Sequence, residues 1–280
     1  MTYRSLLVLL DTDALCAART RLAIRLAADL DCHLVGVAPT GIIDLTVAVG
    51  ADSSLGAYAA LAWDTLRAQT EGAAARFRED CRVAGLKSFE AVVDEADKAT
   101  SLVRHAHCSD LTLLSQADPA VAGHRVVQDM VEQVVMHSAR PTLILPYAGR
   151  FDRVGGTTLV AWDDSREAAR AVSDALPLLR RASTVQVVSW NESGQPPDPS
   201  MPARLDALHR WLMWQGVSAE VRSETTGIGI ADAMLSRACD LNVDLIVMGA
   251  YGHTRLAERV LGGATRGLLR SMTVPVLMSH

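Results

Sequence analysis

Glycines near the C-terminus have a spacing that indicates phosphate binding. Gly249 and Gly252 follow an apolar run over 244–248, and Gly262 and Gly263 precede a predicted helix. Glycine lets backbone amides approach a ligand closely, and amides at the positive end of a helix dipole bind phosphate. The spacing G-x2-G-x9-G is neither the GxGxxG of a dinucleotide site nor a P-loop, which also needs a Lys. It predicts a phosphate-binding backbone of another kind.

An acidic residue is expected on the opposite side of the same site. Asp163 follows the apolar segment 158–162, and ligands of open parallel sheets bind beyond the carboxyl ends of the strands. Its carboxylate could accept hydrogen bonds from a ribose or from the amino group of adenine. Asp164 adjoins it, but neighbours in a turn point in different directions, and no nucleophile with a base stands nearby. No catalytic residue is predicted.

The elements that must position these residues occur twice. The segment 110–114 and Pro141 recur 134 positions later as 244–248 and Pro275, whereas the openings of the two halves are 152 positions apart. The first half therefore has 18 additional residues, which we place within 41–63 as a loop and an extra helix. That apolar segment could pack on its own domain, or it could bury a hydrophobic ligand or a second chain.

Each half alternates strands with helices. Short apolar runs such as 6–10 are typical of strands buried on both faces, and helical sequence such as 14–30 follows them. This alternation predicts an α/β fold with right-handed crossovers. We expect two tandem domains, 1–148 and 149–280, each with a five-stranded, mostly parallel sheet and helices on both faces.

The composition excludes several classes of partner. The 280 residues include 27 basic and 32 acidic side chains, for a net charge of −5, and no basic run offers a stripe for nucleic acid. No apolar run reaches the length of a membrane span or a secretory signal, so a soluble cytoplasmic protein is predicted. The five cysteines suggest no disulfide framework. His105, His107 and Cys108 lie close together, but no second cluster completes a metal site.

The glycine motif and the ends of both halves resemble the universal stress protein family. Gly249, Gly252 and Gly262 match the G-x2-G-x9-G of its nucleotide-binding members, and both halves end in a strand with proline, RPTLILP and VPVLMS. The resemblance implies tandem flavodoxin-like (Rossmann-like) domains. It also implies ATP or another adenine nucleotide as ligand, with or without Mg²⁺.

The resemblance assigns roles to residues of the second half. Asp163 would face the adenine or ribose, Val188 would lie beside the base, and Met248 and Gly249 would flank the ribose. The phosphate-facing backbone would come from Gly252, Gly262, Gly263, Ala264 and Thr265. The family has Ser or Thr where this chain has Gly263, so one hydroxyl for the outer phosphates is missing. His253 and Arg255 could replace it, or they could be ordinary exposed loop charges.

The first half keeps Asp11 after its first strand but loses the glycines. Ser115, Asp118, Gln128 and Asp129 stand in their places, and two carboxylates there would repel phosphate. We expect this half to bind no nucleotide. Because domains of the family commonly pair through their last strands, it would act as an intramolecular pseudo-dimer partner, and a further homodimer stays open.

The predicted function is stress-response adenine-nucleotide binding through the second half. Two alternatives remain open. One is a nucleotide-free scaffold or a protein that binds an apolar ligand, which the missing hydroxyl at Gly263 and the apolar segment favour. The other is a slow ATPase, which would need a metal-binding acid and a positioned water.

Overall fold

The structure, a computed structural model, describes residues 2–41, 56–252 and 263–280, and of 56–61 it describes the backbone only. The first half forms β1 (Ser5–Leu9), α1 (Cys16–Leu30), β2 (His33–Pro39), α2 (Gly56–Val83), β3 (Phe89–Asp94), α3 (Lys98–Ala106), β4 (Leu111–Ser115), α4 (His124–His137) and β5 (Thr142–Leu145). The second half forms β6 (Thr157–Ala161), α5 (Arg166–Leu179), β7 (Thr184–Glu192), α6 (Met201–Trp214), β8 (Glu220–Thr226), α7 (Ile230–Asp240), β9 (Leu245–Gly249), α8 (Ala264–Ser271) and β10 (Val276–Ser279).

The ten strands form one continuous sheet in the order β3-β2-β1-β4-β5-β10-β9-β6-β7-β8. Within each half all neighbouring strands are parallel, and the second half repeats the strand order of the first. The α/β class and the mostly parallel sheets predicted from the sequence are thus confirmed. The order reverses between β6 and β9 in the second half, which is where ligands of such sheets bind.

The two halves join through their last strands. β5 and β10 are antiparallel, and Leu143 pairs with Leu277, which lies 134 positions later. Thr142 pairs with Met278 and Ile144 with Val276, so equivalent residues exchange partners about the central leucine pair. The junction therefore has the symmetry of a two-fold dimer contact within one chain.

Helices cover both faces of the sheet, and each face has one core that crosses the junction. One core contains buried residues of α1, α2, α5 and α6, and the other contains those of α3, α4, α7 and α8. The Tyr3 hydroxyl also donates to the Asp174 carbonyl of the other half over 2.7 Å. Because both cores contain residues of both halves, the two halves pack directly against each other.

Several predictions from the sequence fall on residues outside those described. The additional segment of the first half lies partly there: 42–55 are not described, and helix α2 begins at Gly56. The apolar-ligand hypothesis for this segment stays a prediction. In the part of the chain that is described, no helix combines the length and apolar character needed to cross a membrane.

Candidate functional site

A cavity of about 500 Å³ lies at the carboxyl ends of β6, β7 and β9, at the point where the strand order reverses. Its volume falls within the range of small-molecule sites. Seven of the nine site residues predicted from the sequence line it: Asp163, Met248, Gly249, Gly252, Gly263, Ala264 and Thr265. Of the other two, Gly262 lies outside the described residues, and Val188 is fully buried beneath the cavity wall.

Asp163 is held in place at the end of β6 by the start of α5. Its Oδ1 accepts hydrogen bonds from the Ser165 backbone N–H at 3.0 Å and from the Ser165 hydroxyl at 2.6 Å. Ser165 in turn caps α5, because its Oγ accepts from the Ala168 N–H at 3.1 Å. Asp164 has a left-handed backbone (φ 60°) and pairs with Arg204 at 3.0 Å. The turn therefore separates two adjacent carboxylates and directs only Asp163 to the cavity.

Two helices begin at the cavity. α7 starts after Gly229 and α8 starts after Gly263, and both glycines line the cavity. Neither glycine caps its helix with a side chain, so amides of both first turns are left without an acceptor from the helix. Two positive helix ends directed at one space form a site for an anionic group. The sequence indicated that the start of α8 belongs to the site, but it did not indicate this for the start of α7.

The glycines after β9 have a packing role that the motif alone does not reveal. A Cβ on Gly249 would lie 2.5 Å from the Ala168 backbone nitrogen, and one on Gly252 would lie 2.9 Å from a carboxylate oxygen of Glu167. The start of α5 thus occupies the space that a side chain would need. These glycines bring α5 against β9 and so shape the cavity, in addition to lining it.

Glu167 is an acidic neighbour of this site that sequence reasoning missed. Its side chain is nearly fully buried and bonds to the exposed Arg166. Burial opposes ionisation of Glu167, but the hydrogen bond and the charge of Arg166 outweigh it and hold the pKa of this carboxyl below its ordinary value. Glu167 is therefore a carboxylate at neutral pH, directly behind Gly252.

An apolar and aromatic wall forms part of the cavity lining. Met248 was predicted there, whereas the other members were not: Trp162, Trp190, Ile230 and Met234. Val188 and Trp190 lie on the same face of β7 because side chains alternate along a strand. Trp190, two positions nearer the carboxyl end of β7, lines the cavity, whereas Val188 does not.

A comparison with known protein families gives a match for the second half of the chain. Residues 156–280 match the model of the universal stress protein family. The second half of the chain is therefore similar to this family.

Individual universal stress proteins match longer parts of the chain than residues 156–280. Universal stress protein Slr1230 from Synechocystis is 28% identical over 149 residues, which are 52% of this chain and 49% of the relative, so the match spans about half of the relative's length. A universal stress protein structure from Archaeoglobus fulgidus has a TM-score of 0.72 at 16% identity and covers 98% of this chain and 95% of its own. A putative universal stress protein from Pseudomonas aeruginosa has a TM-score of 0.58 at 18% identity, covering 99% and 93%. At these identities the two structures show a common fold.

The Thr265 hydroxyl contacts the loop that follows β9. Thr265 is buried, and its Oγ1 accepts a hydrogen bond from the Tyr251 backbone N–H at 3.2 Å. Tyr251 has a left-handed backbone, with φ of 57°. The contact ties the first turn of α8 to the loop after β9, so Thr265 positions the helix start. Gly263, which replaces the family's Ser or Thr, offers no hydroxyl.

The charge at the cavity is negative within the described residues. Asp163, Glu192 and Asp232 line it, and none of its described lining residues is a Lys, Arg or His. His253 and Arg255, the suggested phosphate partners, lie outside the described residues. Anion binding in the described part of the site therefore depends on backbone amides and helix dipoles.

The first half fills the equivalent place with its own side chain. Arg19 is 1% exposed and donates to the Leu9 carbonyl at 3.0 Å, to Ser115 Oγ at 2.7 Å and to Asp11 Oδ1 at 3.0 Å. Asp11 and Ser115 are the counterparts of Asp163 and Gly249, and the counterpart of Arg19 is Ala171. The guanidinium thus bridges the two strand ends between which the second half has its cavity.

Proposed function

We propose that the second half binds an adenine nucleotide in the cavity at β6, β7 and β9, and that the protein acts in the stress response by binding rather than by turnover. One observation carries the proposal. Two helix starts without side-chain caps, Asp163 and an aromatic wall all line a single cavity of about 500 Å³. The similarity of residues 156–280 to the universal stress protein family supports the stress-response role.

Each part of a nucleotide has a complementary surface in this arrangement. The phosphate would lie at the amides of Gly263, Ala264 and Thr265, where the α8 dipole is positive. The base would lie against Trp162 and Trp190, because aromatic faces stack on bases. The Asp163 carboxylate would accept from the ribose hydroxyls or from the adenine amino group.

The negative lining favours a ligand with few phosphates. Three carboxylates repel each added phosphate charge, and at an effective dielectric constant of about 20 two charges roughly 8 Å apart interact by about 2 kcal/mol. Without a cation, adenosine monophosphate should therefore bind better than the triphosphate. Mg²⁺ would reduce this difference by neutralising the outer phosphates.

The decisive experiment is isothermal titration calorimetry with adenosine, AMP and ATP, the last with and without Mg²⁺. AMP should bind the unmodified protein. Asp163→Asn should weaken AMP binding about tenfold, since a hydrogen bond to a charged group contributes about 1.5 kcal/mol or more. Asp164→Asn is the matched control: it removes the same charge one residue further on, outside the cavity, and should leave affinity within about twofold.

Two analogues separate the possible partners of Asp163. If Asp163 accepts from the amino group, inosine monophosphate should bind more weakly than AMP, and Asp163→Asn should remove the difference. If Asp163 accepts from the ribose, deoxyadenosine monophosphate should bind more weakly than AMP, and Asp163→Asn should remove that difference. Equal binding of all three nucleotides to the unmodified protein would contradict a role for Asp163 in recognition.

The missing hydroxyl at Gly263 can be restored. Gly263→Ser should raise ATP affinity about tenfold and leave adenosine unchanged, because only a phosphate would meet the new hydroxyl. An equal gain for adenosine would show that the serine acts by capping α8 instead.

An apolar ligand is the second candidate, and the aromatic wall is the observation that favours it. The test uses an apolar dye such as 1-anilinonaphthalene-8-sulfonate. If no adenine nucleotide binds, and if the dye binds the unmodified protein but not a Trp190→Ala variant, the apolar-ligand candidate replaces the first. We further propose that residues 1–148 and 149–280 are separate domains and that the first serves as pairing partner for the second, which the β5–β10 contact supports.

A further inference from the structure

A second and larger cavity, of about 650 Å³, lies at the junction of the two halves. It lies between α4 of the first half and α8 of the second, beyond the carboxyl end of β4, and is open to solvent on one side. Its described lining residues are Gln116, Ala117, Pro119, His124, Arg125, Gln128, Asp129, Val131, Glu132, Arg266, Leu269 and Arg270. We call it the junction cavity.

One pair of charges in the junction cavity is satisfied internally. Glu132 of α4 pairs with Arg266 of α8 at 3.5 Å, and Glu132 also accepts from the Gln128 amide at 3.0 Å. The two charged residues are 134 positions apart, so they are counterparts in the repeat. A symmetric dimer would bring two identical charges together at this place, whereas the tandem chain has one of each sign.

The floor of the junction cavity is rigid and spans both halves. Gln116 is nearly fully buried, and its Nε2 donates to the Leu269 carbonyl of α8 at 2.8 Å. Its Oε1 accepts from the Tyr147 N–H at 3.1 Å. Since both ends of the amide are bonded, the floor holds α8 at a fixed distance from the first half.

Two further guanidinium groups face the junction cavity without an ion pair. Arg125 in the first turn of α4 and Arg270 in the last turn of α8 have no hydrogen bond or salt bridge within the described part of the chain. His124 stands beside Arg125, and Asp129 is the one lining carboxylate that Arg266 does not pair with. When the Glu132–Arg266 pair is excluded, two arginines and one carboxylate remain in the described lining.

We propose that the junction cavity binds a small phosphorylated metabolite between Arg125 and Arg270. Guanidinium groups match the oxygens of phosphate in a bidentate way. The polar lining does not suit an apolar ligand, and an excess of a single positive charge is far too small for nucleic acid. Asp129 adds selectivity, because it accepts from a hydroxyl or amino group on the ligand.

This site is separate from the nucleotide cavity although both use α8. Arg266, Leu269 and Arg270 line the junction cavity, whereas Gly263, Ala264, Thr265, Gly267 and Ser271 line the nucleotide cavity. The counterpart of Arg270 in the first half is Met136, so the cationic lining is specific to this pairing of two different halves. Binding of a phosphate here does not depend on the function proposed for the other cavity.

Titration calorimetry of the full chain with inorganic pyrophosphate and with ribose 5-phosphate, at low ionic strength and without Mg²⁺, tests the proposal. Both probes should bind, and ribose should not. Arg125→Gln and Arg270→Gln should each weaken binding about tenfold. Arg21→Gln, which removes an exposed arginine from α1, is the matched control and should leave affinity unchanged.

A competition experiment tests whether the probes bind in the junction cavity, and unfolding temperatures test whether the variants stay folded. Saturating adenosine should not displace either probe, because adenosine would occupy only the nucleotide cavity. The proposal is overturned if neither probe binds, if Arg21→Gln weakens binding as much as Arg270→Gln, or if adenosine competes with ribose 5-phosphate. Because Arg125 and Arg270 are exposed, their variants should keep the unfolding temperature within about 2 °C, which confirms that any loss is one of binding.

Discussion

Replacement of Arg19 tests the role of the guanidinium group that bridges the ends of β1 and β4 in the first half. Arg19→Met keeps most of the buried volume and removes three hydrogen bonds, to Leu9, Ser115 and Asp11. The Asp11 carboxylate, 13% exposed, then loses its only ion pair among the described residues. The variant should be strongly destabilised and should gain no affinity for nucleotide, because the residual charge repels phosphate.

The size of the loss follows from burial. Breaking a buried ion pair by removing one partner costs about 3–5 kcal/mol, most of it from the charge left behind. The added substitution Asp11→Asn removes that charge and keeps an acceptor for the Asp13 N–H, which Asp11 Oδ1 binds at 3.2 Å. The double variant should therefore recover about half or more of the loss.

Urea unfolding, followed by circular dichroism, measures these free energies. Four of the five tryptophans, at 162, 190, 211 and 214, lie in the second half, so fluorescence reports that half separately. Arg21→Met, an exposed site two residues along α1, should change stability by no more than about 0.5 kcal/mol. A loss below about 1 kcal/mol for Arg19→Met, or a double variant as unstable as the single one, would refute the reasoning.

Three further predictions concern packing, pH and thiol reactivity. Gly249→Ala should cost about 1–3 kcal/mol in urea unfolding, because its Cβ would lie 2.5 Å from the Ala168 nitrogen, and an unchanged midpoint would contradict this contact. Burial opposes ionisation of Asp94, but hydrogen bonds from its neighbours, among them an arginine, outweigh it and lower the pKa of Asp94 to about 2. The stabilisation, about 2 kcal/mol, is present above the unfolded pKa of about 3.9 and is lost as pH falls towards 2, and Asp94→Asn should remove this part of the acid dependence of the urea midpoint. Cys108 and Cys239 are exposed and should react with a thiol reagent before the buried Cys32 and Cys81. Burial raises the pKa of Cys32 to about 11 and the pKa of Cys81 to about 12, which keeps their thiols protonated. Mass spectrometry of the labelled protein measures the order of reaction.

Much of the fold could be predicted from local sequence. Continuous apolar runs identified the buried strands, and the offset of 134 positions related the last strands of both halves before any coordinates were considered. The strand β7 extends beyond its apolar residues as far as Glu192. That extension pairs with β8, and such pairing depends on the neighbouring strand rather than on hydropathy.

The candidate site was predicted only in the parts that a motif records. The glycines and Asp163 stand out because their types are unusual at strand ends. Trp162 and Trp190 gave no such signal, since an aromatic residue in an apolar run is usually core. Gly229 gave none either, because nothing local shows that the start of α7 faces the start of α8.

The sequence by itself determined the repeat, the α/β class and the loss of glycines in the first half, because these depend on residue type and spacing along the chain. Only the tertiary structure decided that α5 packs against Gly249, that Arg19 bridges the strand ends of the first half, and that α4 and α8 line a cationic cavity. The physical reason is that each of these features depends on a contact between residues from 81 to 153 positions apart in the chain: Gly249 with Ala168, Arg19 with Ser115 and Gln116 with Leu269. Their pairing is fixed by strand order and by the antiparallel β5–β10 contact, which no local pattern encodes.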